Sequence, residues 1–453
     1  MKSITLVEKL NHWIATSVSV KLFSIGILIL ILLIPMAMIQ SLIEEREEIH
    51  DFAIKEVQQK WGNPQTISGP VLTIPYKTYY NKIDKNGDEI RYEQTEYAHF
   101  LPESLAVSGS INPEKRHRGI YEIVVYDSQL SLSGRFKTPD LVTLKIDSKD
   151  ILWEQAFVSI GIPDLRGIKS TIEVVWNAER HVVEPGTKLN KLLPSGVNTP
   201  VLVNQEIAEY IFSALIELKG SRSLNVVPVA KETQVELSSA WDSPSFEGAF
   251  LPNSHDVSDK GFSANWKVLH LNRNFPQQWA GEDIDLQSAA FGVNLLLPVD
   301  HYQKSMRSAK YATMFIGLTF LIFFFVEVIN KKRIHPFQYI LVGLALCVFY
   351  ALLVALSEHI SFNSAYVVAS VAIVSMITMY ARSVLASDKL VAYMFIFLVM
   401  LYTFMFVVIQ SEGFALLIGC VALFVILGLV MVLSRNVDWY NTGNTISEPS
   451  LEN

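Results

Sequence analysis

Few residues in this chain combine type and spacing in a way that suggests chemistry, and the best of them lie beside long apolar runs. Glu327 stands four residues before Lys331. That spacing puts a carboxylate and an ammonium on one helix face, so the expected product is an ion pair at the end of a membrane span. Glu358 and His359 stand side by side between two apolar runs. An ionisable couple at a membrane edge can sense or relay protons, whereas the plainer expectation is a polar loop. Glu327, Glu358 and His359 are therefore the candidate site residues. The remaining candidates are weaker. His50, His99, His117, His181, His255, His270 and His301 are scattered singly, without the i,i+4 partner of a metal-binding helix. H-E-x-x-H, G-x-S-x-G, G-x-x-x-x-G-K and the dinucleotide fingerprint are all absent from the sequence. No catalytic, cofactor-binding or metal-ligating residue is expected, no cofactor is implied, and the chain is not expected to be an enzyme.

The elements that must position these residues follow from the distribution of charge. The 453 residues are 50% hydrophobic and only 18% charged, against roughly 25% charged in soluble proteins. Charges are dense from Glu44 to Lys310 and sparse from Tyr311 to Ser434. Two solvents are implied, water for the middle and lipid for the rest. About 20 apolar residues cross ~30 Å of hydrocarbon, and six stretches qualify: 22–43, 309–330, 338–357, 364–381, 390–409 and 414–433. The first resembles a signal peptide in its preceding Lys2, Lys9 and Lys21. However, its apolar run is too long and no A-x-A-like site follows, which predicts an uncleaved anchor. Residues 1–20 suit an interfacial helix with Trp13 at the headgroups, and the polar tail after Arg435 is expected to be disordered. Lys331, Lys332, Arg333, Arg382, Lys389 and Arg435 fall in one set of connections, while Glu358, His359 and Glu412 fall in the other. The positive-inside rule then predicts both termini in the cytoplasm and the large domain in the periplasm. Lys304, Arg307 and Lys310 run against this, because they sit on the outer side of the second span.

The segment 44–308 is expected to be a periplasmic, antiparallel, β-sandwich-like all-β domain, with a stalk helix over 44–61 stopped by Gly62, Asn63 and Pro64. Apolar and polar residues alternate around Leu130 and Leu132, Val142 to Ile146, Val235 and Leu237, Phe262 to Val268, and Phe291 to Leu295. Asn86-Gly87, between Tyr79-Tyr80 and Tyr92, is the best short-range hairpin signal. Cys347 and Cys420 both lie in apolar runs, so no disulfide staples this domain. Its length of about 265 residues is enough for a core of its own. Small-xxx-small pairs at Ala351/Ala355, Ala365/Ala369 and Ala415/Gly419 suit close helix packing. The net charge of -7 offers no footprint for nucleic acid.

Longer ordered strings carry a resemblance. They include Ser68-Gly69-Pro70-Val71-Leu72 with Ile74-Pro75, Leu101 to Leu105, Asp164-Leu165-Arg166-Gly167-Ile168, and Leu224 to Pro228. They continue through Pro244-Ser245-Phe246 with Phe250-Leu251-Pro252, His335-Pro336, Gln338 to Leu344, Ala355 to His359, and Arg435 to Tyr440. In these the sequence resembles the CreD family of bacterial inner-membrane proteins over nearly its whole length. The resemblance implies an envelope-integrity protein of a two-component stress regulon, connected with colicin tolerance and β-lactam response, and brings no catalytic residues with it. The leading expectation is a structural or interaction protein whose partners are the lipid bilayer and an envelope component bound by the β-domain. The alternatives are a transporter or lipid-handling protein gated at Glu358 and His359, and a periplasmic enzyme. Sequence leaves the oligomeric state open.

Overall fold

The computed structural model describes residues 18–83, 89–189, 191–281, 284–297, 301–330, 334–411 and 414–435. Trp13, the Asn86-Gly87 turn, the Lys331–Arg333 basic cluster, Glu412 and the tail beyond Arg435 lie outside them. The chain forms two units, a helical one from Met1–Ile49 and Val299–Asn453, and a β unit over His50–Pro298.

The helical unit follows from hydropathy. Its helices are α1 (Val18–Trp61), α2 (His301–Lys310), α3 (Ala312–Ile329), α4 (Pro336–Ser357), α5 (Phe362–Leu385), α6 (Asp388–Gln410) and α7 (Ala415–Ser434). Among the described residues, five helices are long and apolar enough to cross a membrane: α1, α3, α4, α5 and α6. The apolar core of α7, Leu417–Val432, is shorter. Within α1, Ile25, Leu28, Leu32, Met36 and Ile43 are buried, a stripe at helical spacing. Gly343 on α4 admits this stripe: a Cβ there would lie 2.2 Å from Leu32 Cδ1. Pro336 starts α4 at the position where a missing N–H costs nothing. Before it, the His335 N–H donates to Gln338 Oε1 at 2.9 Å while His335 Nδ1 accepts from the Phe337 N–H at 3.2 Å.

Two expectations change here. The second span does not begin at 309: the separate helix α2 precedes it, and Tyr311 breaks the run. α2 buries Tyr302, Ser305, Ser308 and Ala309 and packs on α4 and α6, so it belongs to the helical unit and the β-rich region ends before it. The small-residue pairs behave unequally. Ala365 and Ala369 are fully buried, Ala355 is exposed, and a Cβ on Gly419 would meet open space.

The β unit is one domain with one core shared by two sheets. The first sheet orders the strands Pro244–Gly248, Phe291–Leu295, Ser223–Val226, Gln65–Ile83, Phe157–Gly161, Gly196–Pro200 and Glu184–Pro185, with Glu89–Phe100 and Gln278–Ala280 paired off this path. The second orders Ser254–Ser258, Gly261–Leu269, Glu232–Ser239, Ser104–Arg118, Tyr121–Lys137, Glu209–Ser221, Glu173–Trp176 and Glu179–Val182. The alternations at 130–132, 235–237 and 262–268 are strands with their apolar residues inward. Phe291–Leu295 is buried on both faces. The strands on either side of 84–88 pair antiparallel, with Tyr80 opposite Tyr92 and Ile83 opposite Glu89. The sandwich is not purely antiparallel: Gln65–Ile67 pairs parallel with Leu224–Val226, and Glu232–Ser239 parallel with Ser104–Ile111. The segment around Val142 is a turn rather than a strand, with Val142 84% exposed, because Asp140 captures the Thr143 N–H and hydroxyl and closes a local loop.

The last turns of α1, from His50, belong to the β unit, and the helix stops at Trp61. The Gly62 N–H donates to Gln58 O at 2.9 Å. Gly62 has φ +154° and a Cβ would lie 2.8 Å from Lys219 O, so only glycine fits. Trp61 lies between the cations of Arg116 and Lys219, 3.9 and 4.2 Å from its ring. Asp164, 6% exposed, clasps this junction. It accepts from the Asn63 N–H at 2.9 Å and, bidentately, from Arg166 Nε and Nη2, each at 2.8 Å. Arg166 Nη1 donates to Gln59 O at 2.6 Å, so one guanidinium joins the helix end to the clasp. Arg166 beside it holds the Asp164 carboxyl below the usual carboxylate range.

His99 is the other buried ionisable group of note. It is wholly enclosed, opposite Thr73 across two strands with Oγ1–Nδ1 at 3.1 Å, and packs on Trp279 at 5.1 Å. Burial lowers its pKa to about 4. Two outcomes are expected in the full-length protein. In Asp164→Asn, hydrogen exchange of peptides covering 58–67 should quicken by the equivalent of about 2 kcal/mol, the scale of a charged hydrogen bond lost; unchanged exchange would sink the clasp. For His99 the folded pKa lies below the ordinary value of 6.5, so its stabilisation is complete above that value and declines as pH falls toward about 4. The decline amounts to about 3 kcal/mol at most. Exchange in 97–100 should therefore quicken across that interval in the wild type and not in His99→Gln; parallel profiles would refute it.

Candidate functional site: the charged ends of the helical unit

The sequence candidates fall at two ends of the helical unit. At one end, Glu327 closes α3 with 2% of its side chain exposed. A carboxylate so enclosed must find a cation and donors for its oxygens. Lys21, near the start of α1, supplies the cation at 2.7 Å from Oε1. The Ile334 N–H donates to Oε1 at 3.1 Å, and the Tyr339 hydroxyl on α4 donates to Oε2 at 3.0 Å. Phe320 and Phe323 pack on the Tyr339 ring at 5.4 and 6.0 Å, fixing the phenol that holds the carboxylate. Lys331, the partner that i,i+4 spacing favours, is among the undescribed residues; the partner observed is 306 positions away. Neither Lys21, which reads as one more charge before an anchor, nor Tyr339 stands out in the sequence.

At the other end, Glu358 caps α4. The Tyr302 hydroxyl of α2 donates to Oε1 at 3.1 Å, and Arg46 Nε of α1 lies 4.0 Å from the same oxygen. Arg46 is 44% exposed, so this pair is the weaker one. His359 does not join it. Its ring is exposed, it forms no ion pair among the described residues, and its backbone N–H donates to Leu356 O at 3.0 Å. The Glu358–His359 couple therefore separates into a held carboxylate and a surface imidazole. About 38 Å of helix separates Lys21 from Arg46 at 1.5 Å per residue, slightly more than a hydrocarbon core. One glutamate at each end thus fixes α1 to the other helices.

Between the two ends, buried polar side chains are phenols and small hydroxyls. The Tyr366 hydroxyl donates to Tyr402 O at 2.7 Å, and Tyr350 contacts Met405 Sδ at 4.0 Å. Among the described residues no group of three or more His, Cys, Asp or Glu is placed to hold a metal ion. The arrangement binds helices together, and its carboxylates are already occupied.

Residues 17–440 match the family described as inner membrane protein CreD. The chain belongs to the CreD family. Inner membrane protein CreD of Escherichia coli (strain K12) is 35% identical over 416 residues, which is 91% of this chain and 91% of that protein. With its apolar helices this makes it a multi-pass inner-membrane protein. The strings that carry the resemblance now have physical content. Asp164-Leu165-Arg166-Gly167-Ile168 is the clasp at the end of α1, where a Cβ on Gly167 would lie 2.3 Å from Lys219 O. His335-Pro336 with Gln338-Tyr339 is a helix cap followed by the phenol on Glu327. Ser357-Glu358 is the end of α4 that α2 holds.

A double-mutant cycle tests the Lys21–Glu327 pair. Glu327 is enclosed while Lys21 keeps 28% exposure, so removing the cation leaves a buried charge uncompensated, at a cost below the ~3–5 kcal/mol of a fully buried pair. Glu327→Gln and Lys21→Met should each markedly lower the thermal stability of the detergent-solubilised protein, and together should cost less than the sum. Strictly additive losses would show that the two residues act separately.

Proposed function

We propose that this CreD-family protein maintains envelope integrity as a non-catalytic inner-membrane protein, with both termini in the cytoplasm and the β unit in the periplasm, where it binds an envelope component. The observation that carries the reading is the family match across residues 17–440. Three further features support it. The β unit is built around a single large core shared by both sheets. The ionisable residues of the helical unit that sequence singled out are engaged in fixing helices or lie at the surface. The basic connections Lys331–Arg333, Arg382 with Lys389, and Arg435 favour a cytoplasmic location for those loops. The transport alternative draws no support from Glu358, whose oxygen is held by Tyr302 at one edge of the unit.

Orientation and role are tested together. Leu251 is 73% exposed in the β unit. Leu251→Cys in intact cells should react with a membrane-impermeant maleimide, and among photo-crosslinkers placed at exposed positions such as Ile83, Leu251 and Leu271 at least one should capture an envelope component. Labelling only after lysis would overturn the orientation. Crosslinks at none of a full set of surface positions would overturn the binding role.

A further inference from the structure

The helical unit contains an apolar crevice of about 210 Å³. Tyr311, Met314 and Phe315 near the start of α3, Phe404, Met405 and Val408 near the end of α6, and Gly419, Cys420 and Leu423 in the first turns of α7 line it. All three helix segments lie at the same end of the unit, the end that Glu358 and α2 share. At Gly419 a Cβ would meet nothing within 4 Å, so this wall of the crevice has room for a larger side chain that would fill it. The volume is below the ~300–1,000 Å³ of sites that enclose whole small molecules, which suits a chain entering from the side. In a protein surrounded by lipid, the chain available to an opening of this kind is an acyl tail.

The charge beside it says which lipid. α2 carries Lys304, Arg307 and Lys310, the cations that run against the positive-inside pattern. Lys310 directly precedes the crevice residue Tyr311, is exposed, and has no carboxylate partner among the described residues. Lys304 lies over the Phe362 ring at the start of α5, 5.9 Å from its centre. Glu358, the carboxylate held by α2, is engaged by Tyr302 and Arg46. A short helix ending in an ammonium with no carboxylate partner among the described residues, next in sequence to a residue of an apolar slot, matches a lipid with a negative headgroup.

We propose that this crevice seats one acyl chain of an anionic glycerophospholipid whose phosphate is held at Lys310, with Lys304 adding to the local positive potential. The lipid fills the gap that α7 leaves against α3 and α6. The misplaced cations of the sequence thereby acquire a role that competes with the topology signal.

The test uses the full-length protein. Lipid retention is read by native mass spectrometry from detergent supplied with phosphatidylglycerol or phosphatidylcholine. Phosphatidylglycerol should be retained preferentially, and Lys310→Gln should lower that preference about fivefold, the effect of one basic residue near an anionic surface. Gly419→Leu should abolish retention of both lipids. A second measurement needs no variant. Cys420 lines the slot while Cys347 is buried, so Cys420 is the thiol open to alkylation. Adding phosphatidylglycerol to phosphatidylcholine nanodiscs should slow its alkylation by an uncharged maleimide about fivefold, on the same scale. Inorganic phosphate should afford no such protection. Equal retention of the two lipids together with equal alkylation rates would overturn the proposal. Protection by phosphate alone would overturn it in favour of a simple anion site.

Discussion

An ionised carboxylate enclosed by apolar helices has to be paired, and the helical unit is organised around that demand. Glu327 takes a cation from α1, a hydroxyl from α4 and a backbone N–H from the segment between α3 and α4. Three parts of the chain are thereby brought to one point. The contacts of Leu32 with Gly343, and the buried stripe of α1, extend the same association along the helices. Apolar packing alone gives little preference for one register of helices in lipid, because the tails are as apolar as leucine. A single ion pair to an enclosed carboxylate gives that preference with few atoms.

The β unit applies the same logic with different parts. Asp164 is a nearly buried carboxylate whose two oxygens receive a fork from Arg166 and a backbone N–H from the chain leaving α1. A bidentate guanidinium fixes direction as well as distance, which a lysine would not. In both units, then, an acidic residue ties α1 to elements that follow far along the chain. Each tie uses the acid as acceptor for a backbone group as well as for a cation.

The apolar helices were legible because hydropathy is a property of consecutive residues, and so were the end of α1 at Trp61 and the strands at 235–237 and 262–268. What escaped were features settled by distant partners. Lys21 meets Glu327 only through the fold, and the local spacing pointed to Lys331 instead. Alternation gives a strand and its faces but not the direction of its neighbour, so the parallel pairings of Gln65–Ile67 and Glu232–Ser239 were invisible. Around Val142 the period was right for a strand, but Asp140 offered the backbone a local turn that won. Most of helix α2 read as the end of the soluble domain, because Lys304, Arg307 and Lys310 give it the charge density of that segment. His359 illustrates the reverse error, since adjacency in sequence put it beside Glu358 while the helix end points the two groups to different surroundings.

The strand Phe291–Leu295 sits inside the first sheet, between Ser223–Val226 and Pro244–Gly248, and it is the last strand before α2. Gln65–Ile67 in turn pairs with the 224–226 strand. The first strand therefore waits for residues about 160 positions later, and the sheet stays unfinished until synthesis has passed Leu295. Non-local pairings of this kind are slow to form and leave strand edges bare in the interval. During biogenesis, completion of the β unit and insertion of α3 become near-simultaneous events, so a delay in one lengthens the exposure of an incomplete sheet to proteases and chaperones.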